Sequence, residues 1–288
     1  MLPVDLHAHS NVSDGMLPPR EVVARAYARG CQLFALTDHD DLRGLAAAAD
    51  EARRLGMRFL PGVEISVSWR KHTLHIVGLG FDPANAVLQA GLASVRLGRD
   101  ERAVRMDAAL AAVGVGGVLE GARKFADNPE MIGRAHFARH LIERGLAKDM
   151  KGVFKKYLAR GKPGYVAHQW ATLADAVGWI RAAGGVAVIA HPGRYEFGRQ
   201  TMGELIEEFK AAGGEGIEVV SGSHHPADFE RYARLAEAHG LLASAGSDYH
   251  ATGEGAREPG ILPDMPPGPQ PVWQRWHADI GVTLPAAA

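Results

Sequence analysis

The chain has 288 residues, of which 47% are hydrophobic and 23% charged, with a formal net charge of −1. That is enough chain for a large single α/β domain or a barrel with an insertion. The charge balance excludes an extended nucleic-acid grip built on a basic excess, though not a local basic patch. One cysteine, Cys31 beside Leu33 and Phe34, excludes an internal disulfide and a thiolate zinc cluster and reads as a buried small hydrophobe. No run is apolar enough to span a bilayer and no secretory leader pattern opens the chain, so a cytoplasmic protein is expected.

Short β-like runs alternate with amphipathic helical stretches. Strands are predicted over residues 4–7, 32–37, 59–67, 74–79, 186–190, 216–220 and 241–245. Pro18 and Pro19 open a helix over 21–29 that Gly30 stops, and an alanine-rich helix over 42–55 ends at Gly56, with Asp41 as its N-cap. Thr172 caps a helix running to Gly184, Thr201 and Glu204 form a capping box for one ending at Gly213, and Pro226 starts another ending near Gly240. Strand–helix alternation implies a parallel sheet, and seven such units imply a closed or nearly closed barrel. From about 85 to 166 the alternation breaks into a mostly helical stretch whose length favours a subdomain over an irregular connection. The expected organisation is a barrel from 1–88 and 166–288, with 89–165 as a helical cap over its mouth. A Pro-rich strap is expected over 258–270.

Functional groups of such barrels gather where strands give way to the loops that follow them. Reading those positions gives His7, His9 and Asp14 after the first strand, His39 in Thr37-Asp38-His39-Asp40 after the second, Glu64 in the third, His75 in the fourth, His191 after the fifth, and Asp248 and His250 after the last. His7 and His9, two residues apart, share one face of a strand. Any one of these has a bland reading: His75 alone would be a core histidine, and His39 alone an even choice. Asp38 and Asp40 read as loop acids or as supports behind the ligands. His72, His136, His140, His168, His224, His225, His239 and His277 stay outside the set as surface or packing residues, with His225 the nearest to lining the pocket. Nine imidazoles and carboxylates on one rim exceed what one metal ion uses and would serve two or three. Without thiolates they suit manganese, iron or zinc in a catalytic rather than a structural site. Three divalent ions against three carboxylates leave the rim cationic, a setting for phosphate esters and for making hydroxide near neutral pH.

Asp-Leu-His-Ala-His-Ser, Thr-Asp-His-Asp, Pro-Gly-Val-Glu-Ile-Ser, His-Pro-Gly and Gly-Ser-Asp-Tyr-His, in this order from Asp5 to His250, resemble the PHP (polymerase and histidinol phosphatase) family. The resemblance implies a distorted (β/α)7 barrel of the α/β class with a trinuclear centre, most often three manganese ions, with iron or zinc as alternatives. It also implies phosphoester hydrolysis by a metal-bridging hydroxide. It puts His7, His9, Asp14, His39, Glu64, His75, His191, Asp248 and His250 on the family's ligand positions, and makes His191 or a neighbouring acid the candidate for protonating the leaving alkoxide. The helical insertion and the Pro-Gly-Val-Glu-Ile-Ser form resemble most the branch of nucleoside 3′,5′-bisphosphate phosphatases and the related 5′→3′ exoribonucleases.

For the substrate, Arg96, Arg99, Arg102 and Arg105 recur every third residue and would wind as a basic stripe on one helix, or simply face solvent with Asp100 and Glu101 between them. Lys124, Arg134 and Arg194 join the pool, with Arg134 and Arg194 the stronger candidates for gripping phosphate. Gly114-Val115-Gly116-Gly117 lacks the Gly-Lys-Ser/Thr ending of a Walker loop. The expected reaction is release of the 3′-phosphate of a small nucleoside 3′,5′-bisphosphate such as adenosine 3′,5′-bisphosphate, leaving AMP. The alternatives are a 5′→3′ exoribonuclease on short RNA 5′ ends, a histidinol-phosphatase-like phosphomonoesterase, an amidohydrolase and a non-catalytic PHP scaffold. Neither a membrane nor long nucleic acid is expected as a partner.

Overall fold

Strand pairing carries the architecture in the computed structural model, which describes residues 3–276 apart from 256; His277 lies outside the described residues. β1 (Val4–Asp5), β2 (Leu33–Leu36) and β3 (Arg58–Trp69) run parallel, with α1 (Pro19–Ala28) and α2 (Leu45–Leu55) as crossovers. β4 (His72–Leu79) returns antiparallel to β3, and β5 (Ala171–Thr172) adds a short pairing to the far end of β3. β6 (Val186–Ile189) pairs antiparallel with β4, and β7 (Gly216–Ser221) and β8 (Leu242–Gly246) follow in parallel. The Leu6 N–H donates to Ala245 O at 2.9 Å and the Asp248 N–H to His7 O at 2.8 Å, so the last strand meets the first and the barrel closes.

The sheet therefore departs from the expected seven parallel strands in two places. Only Arg70 and Lys71 separate β3 from β4, and so short a link joins antiparallel neighbours only. β5 has two residues, too few to show any hydrophobic period.

Most helix ends follow the sequence signals. Pro19 is the first residue of α1, and Thr172 Oγ1 accepts the Asp175 N–H at 3.1 Å to cap α8 (Leu173–Ala182). Two do not. α9 (Arg199–Ala211) begins at Arg199, so Thr201 already lies inside its first turn and Gly198 is the N-cap. α2 is capped by Gly44; the Asp41 carboxylate instead accepts the Arg43 N–H at 2.8 Å and pairs with the Arg43 guanidinium. α10 (Pro226–His239) links β7 to β8.

The insertion is helical. Asn85 caps α3 (Ala86–Arg96), which is followed by α4 (Arg99–Ala111), α5 (Val118–Arg123), α6 (Arg134–Glu143), α7 (Met150–Val153) and a π turn over Phe154–Leu158. α3 does not belong to a separate core, since Leu88, Leu92 and Val95 pack into the barrel. A second hydrophobic cluster starts at Ala103 and includes Met106, Leu110, Phe137, Leu141 and Leu158. Leu97 and Gly98 break the chain between α3 and α4, so the arginine stripe is split over two helices. The cap is fastened to the rim loops: Arg139 donates to Asp14 O at 2.7 Å and grips Glu254 with two bonds of 2.7 Å, while Asn128 Nδ2 donates to Val12 O at 2.9 Å. The strap over 258–270 closes the opposite end, with the Gly260 N–H on Asp5 Oδ2 at 2.8 Å and Gln270 O accepting from Ala243 N.

Closure is tight at Gly246, where a Cβ would stand 2.2 Å from His7 Cβ. Gly246→Ala is expected to destabilise the protein by roughly 1–3 kcal/mol through overpacking. Urea unfolding measures this, and an unchanged midpoint would show that β1 gives way freely.

Candidate metal centre

The ligands reach the rim because backbone and side-chain bonds hold their loops in shape. The Glu64 N–H donates to Asp38 O at 3.2 Å and the Asp40 N–H to Glu64 O at 2.9 Å, which lays His39 beside Glu64. Asp38 takes the Ser10 N–H at 2.8 Å, Ser10 Oγ at 2.6 Å and Ser13 Oγ at 2.7 Å, and so fixes the loop between His9 and Asp14. Asp40 accepts Ser66 N–H at 2.7 Å and pairs with Arg99. Asp40, His191 and Asp248 hold left-handed backbone, with φ of 47°, 27° and 52°. Non-glycine residues rarely accept that conformation, and where they do the surroundings impose it.

Glu64 sits at the centre. Its Oε1 lies 2.9 Å from both His75 Nδ1 and His191 Nε2 and 3.3 Å from His7 Nε2; its Oε2 lies 3.0 Å from His39 Nδ1 and 3.3 Å from His9 Nε2. Asp248 Oδ1 stands 3.6 Å from His7 Nε2 and 3.5 Å from His9 Nε2. Asp14 approaches His250 Nε2 at 3.3 Å and His39 Nε2 at 3.8 Å. All nine sequence-selected ligands thus meet in overlapping groups whose donor atoms lie within 4.8 Å of one another.

This donor set fits metal ions. His7 Nδ1 is 2.6 Å from Glu218 Oε1, which makes that nitrogen the donor to the carboxylate and leaves Nε2 facing His9 Nε2 at 3.2 Å. Two imidazole nitrogens facing each other call for a cation between them. Asp14 Oδ1, Glu64 Oε2 and Asp248 Oδ1 are buried with no hydrogen-bond partner, which is costly for a carboxylate unless a cation completes it. The electrostatics agree. Burial alone would raise the Glu64 carboxyl, yet His75, His39 and His7 hold it well below the ordinary range; His250 and His39 do the same for Asp14, and Arg194 and His9 for Asp248. Burial alone would lower the imidazoles, yet Glu218 and Glu64 raise His7 well above its usual value, and Asp248 and Glu64 raise His9. His75 goes the other way: burial outweighs the pull of Glu64 and pushes it down to about 4.

Sequence reasoning missed Glu218. It lies in β7, 1% exposed, and binds His7 Nδ1 with one oxygen and the His191 N–H with the other at 2.5 Å. A lone acid inside the apolar run Gly216-Ile217-Glu218-Val219-Val220 was the available signal. His225, expected nearest the pocket, is exposed at the start of α10. Its neighbour His224 is the buried one, donating to Val219 O at 3.0 Å and accepting the Gly193 N–H at 3.0 Å beneath His191. His136 is buried in α6 and accepts the Gly133 N–H at 3.0 Å, and His140 pairs with Glu143.

The arginines divide by what they touch. Arg99 is committed to Asp40, and Arg96 donates to Asp40 O at 2.6 Å. Arg102 donates to Val166 O and stacks with Arg99 on the Trp170 ring; Arg134 lies 5.6 Å from the Phe154 ring. Among the described residues neither Arg102 nor Arg134 has a carboxylate partner. Burial, together with the positive charges of Arg134 and Arg99, lowers Arg102, and burial with Arg194 and Arg99 lowers Arg134. Arg194 reaches Asp248 Oδ2 at 2.8 Å. Lys124 is exposed at the end of α5, and Arg105 is exposed on α4.

A barrel whose rim gathers imidazoles and carboxylates around buried, uncompensated oxygens, with free guanidiniums beside them, defines a divalent-metal hydrolase for anionic esters. The PHP domain model matches residues 5–219, and the chain belongs to this family. It is 59% identical over 280 residues to a 3′,5′-nucleoside bisphosphate phosphatase of Chromobacterium violaceum, covering 97% of this chain and 98% of the relative. It is 40% identical over 281 residues to the 5′-3′ exoribonuclease Rnm of Escherichia coli, covering 97% and 95%. Among solved structures it superposes with TM-score 0.93 on a Chromobacterium violaceum protein described as an amidohydrolase with bound SO4 and no metal (58% identical, 96% of each chain). A Bifidobacterium adolescentis protein provisionally described as a metal-dependent phosphoesterase gives 0.80 (26% identical, 98% of this chain and 97% of the other).

Two predictions follow from the geometry. Glu218→Gln should weaken manganese binding roughly 10- to 100-fold with the fold intact, because the carboxylate orients His7 and makes it a better ligand. An unchanged manganese isotherm would remove Glu218 from that role. Metal uptake should also release protons and weaken as pH falls through the imidazole range, since His7, His9 and His39 hold protons above their ordinary value in the metal-free rim. Calorimetry in buffers of different ionisation enthalpy reads the proton count, and a count of zero contradicts it.

Proposed function

We propose that this chain removes the 3′-phosphate from nucleoside 3′,5′-bisphosphates, converting adenosine 3′,5′-bisphosphate to AMP and phosphate. The observation that carries this reading is the pair of guanidiniums without a carboxylate partner among the described residues, Arg102 and Arg134, the second of which lies near enough to Asp14 and Arg194 to feel their charges. One phosphate belongs on the rim and a second on these arginines, which is the charge layout of a ribose carrying two phosphates. The name of the Chromobacterium violaceum relative supports the same substrate.

We assign three divalent ions, manganese foremost, with iron or zinc as alternatives. His7, His9, Glu64 and Asp248 would hold one, Glu64, His75 and His191 another, and Asp14, His39 and His250 the third. Such a cluster supplies Lewis acidity to a phosphate and lowers the pKa of water. The protein supplies position. Arg134 and Arg102 hold the 5′-phosphate, and that remote binding energy fixes the reacting phosphorus. Arg194 keeps Asp248 turned toward the rim. His191 commits Nε2 to Glu64 and keeps Nδ1 buried, and we assign the proton that the leaving oxygen needs to solvent.

A second reading, a 5′→3′ exoribonuclease on short RNA, is favoured by the Escherichia coli relative and by one from Haemophilus influenzae that is 39% identical over 272 residues. The two readings share one placement, because a nucleoside bisphosphate is the smallest possible RNA 5′ end. We place the protein in the cytoplasm, supported by a free, buried Cys31. No helix among the described residues is long and apolar enough to cross a membrane.

Phosphate release from adenosine 3′,5′-bisphosphate with added manganese tests the reading, and a chelator should abolish it. Arg134→Ala should lower kcat/KM on the bisphosphate roughly 10- to 100-fold, the worth of charged hydrogen bonds to one phosphate. A nucleoside 3′-monophosphate should react almost unchanged in that variant. Equal losses on both substrates would show that Arg134 does not hold the second phosphate, and faster turnover of histidinol phosphate would overturn the substrate class.

A further inference from the structure

Five of the chain's eight lysines, Lys148, Lys151, Lys155, Lys156 and Lys162, fall within residues 148–162, together with Arg160 and one acid, Asp149. All six cations are exposed. Among the described residues no ammonium group of these lysines enters an ion pair or a hydrogen bond; Lys156 alone has a partner, the Tyr157 ring at 4.8 Å. Asp149 is occupied in capping α7, where it accepts the Gly152 N–H at 2.7 Å. In a chain of net charge −1 this is a strong local positive field.

The stretch meets the substrate arginines at its middle and just past its end. The partly exposed Phe154 ring lies 5.6 Å from the Arg134 guanidinium, and Val166 O, just past the stretch, accepts the Arg102 Nε–H at 3.2 Å. Lys155 follows Phe154 directly in the chain, so the stretch passes beside Arg134 and offers charge beyond what a bisphosphate uses, since both of its phosphates are already matched by the rim and by Arg102 and Arg134. An oligonucleotide brings further phosphates. Exposed cations beside the partly exposed aromatic faces of Phe154 and Tyr165 are the pairing that holds single strands without reading sequence.

We propose that residues 148–162 form a landing strip for the phosphate backbone of single-stranded RNA whose 5′ end is held by Arg102 and Arg134. This rests on the preceding assignment of Arg102 and Arg134 to a 5′-phosphate. The strip acts on binding and not on the chemical step, so it separates an RNA substrate from a bisphosphate at the same centre.

The test replaces Lys151, Lys155 and Lys156 together by Gln in the full chain. Binding of a short, unstructured, fluorescently labelled 5′-phosphorylated RNA is followed by anisotropy in chelator, which prevents cleavage, across a salt series. Turnover of adenosine 3′,5′-bisphosphate with manganese is measured alongside. The expected result is about tenfold weaker RNA binding at low salt and a log–log salt slope shallower by about 2, since each phosphate contact on a single strand contributes about 0.7. Bisphosphate turnover should stay unchanged. RNA binding and salt slope equal to wild type would overturn the strip, as would a matching loss of bisphosphate turnover, which would place the lysines in the centre or in folding. Loss of binding to phosphatidylserine vesicles with RNA binding intact would overturn it in favour of a membrane surface. If the wild type binds RNA through these lysines but turns over no bisphosphate, the strip stands and the substrate reading alone fails.

Discussion

One buried carboxylate organises this molecule. Glu64 is 1% exposed and stands within 3.3 Å of nitrogens from five histidines carried by four separate segments of chain. Burying so many polar groups in a barrel mouth is unfavourable unless each is paired. The surrounding structure consists largely of that pairing. Glu218 ties His7 to the backbone of His191 across β7, Asp38 ties the Ser10–Ser13 loop to the end of β2, and Asp5 takes the Ser247 and Gly260 N–H groups at 2.8 Å each. Burial lifts the Asp5 carboxyl to about 6, a sign of how dry the centre of the barrel is.

The cap answers a different requirement. Several of its polar and charged residues hold the rim, as their partners show. Arg139, Arg99 and Asn128 are committed to Asp14 O, Asp40 and Val12 O, so the cap and the ligand loops are one mechanical unit. Arg102 gives its Nε–H to Val166 O, and among the described residues neither Arg102 nor Arg134 has a carboxylate partner. The two names found among the relatives are compatible, because a nucleoside bisphosphate and an RNA 5′ end present the same pair of charges.

Much of this was legible in the chain itself. The nine candidate ligands could be picked out because a barrel places them at strand ends, and His7-Ala8-His9, Asp248-Tyr249-His250 and the single Glu64 are polar interruptions of apolar runs. Helix ends at Pro19, Gly56, Thr172 and Gly240 were local events with local signals. Asp41 and Thr201 carried the right residue type for a cap and still failed, because a guanidinium claimed one and the helix had already begun before the other.

The sequence by itself determined most of the elements and the choice of the nine candidate ligands, because these depend on residue type and on spacing along one chain. Only the tertiary structure decided that Glu64 is shared by several donor groups, that Glu218 stands behind His7, and that Arg99 is committed to Asp40 while Arg102 and Arg134 are not. Glu218 is 211 residues from His7, and Asp40 is 59 from Arg99. Contacts at such separations are set by how strands register and helices pack, and no local pattern in the chain encodes which of several like-charged side chains finds the one available partner.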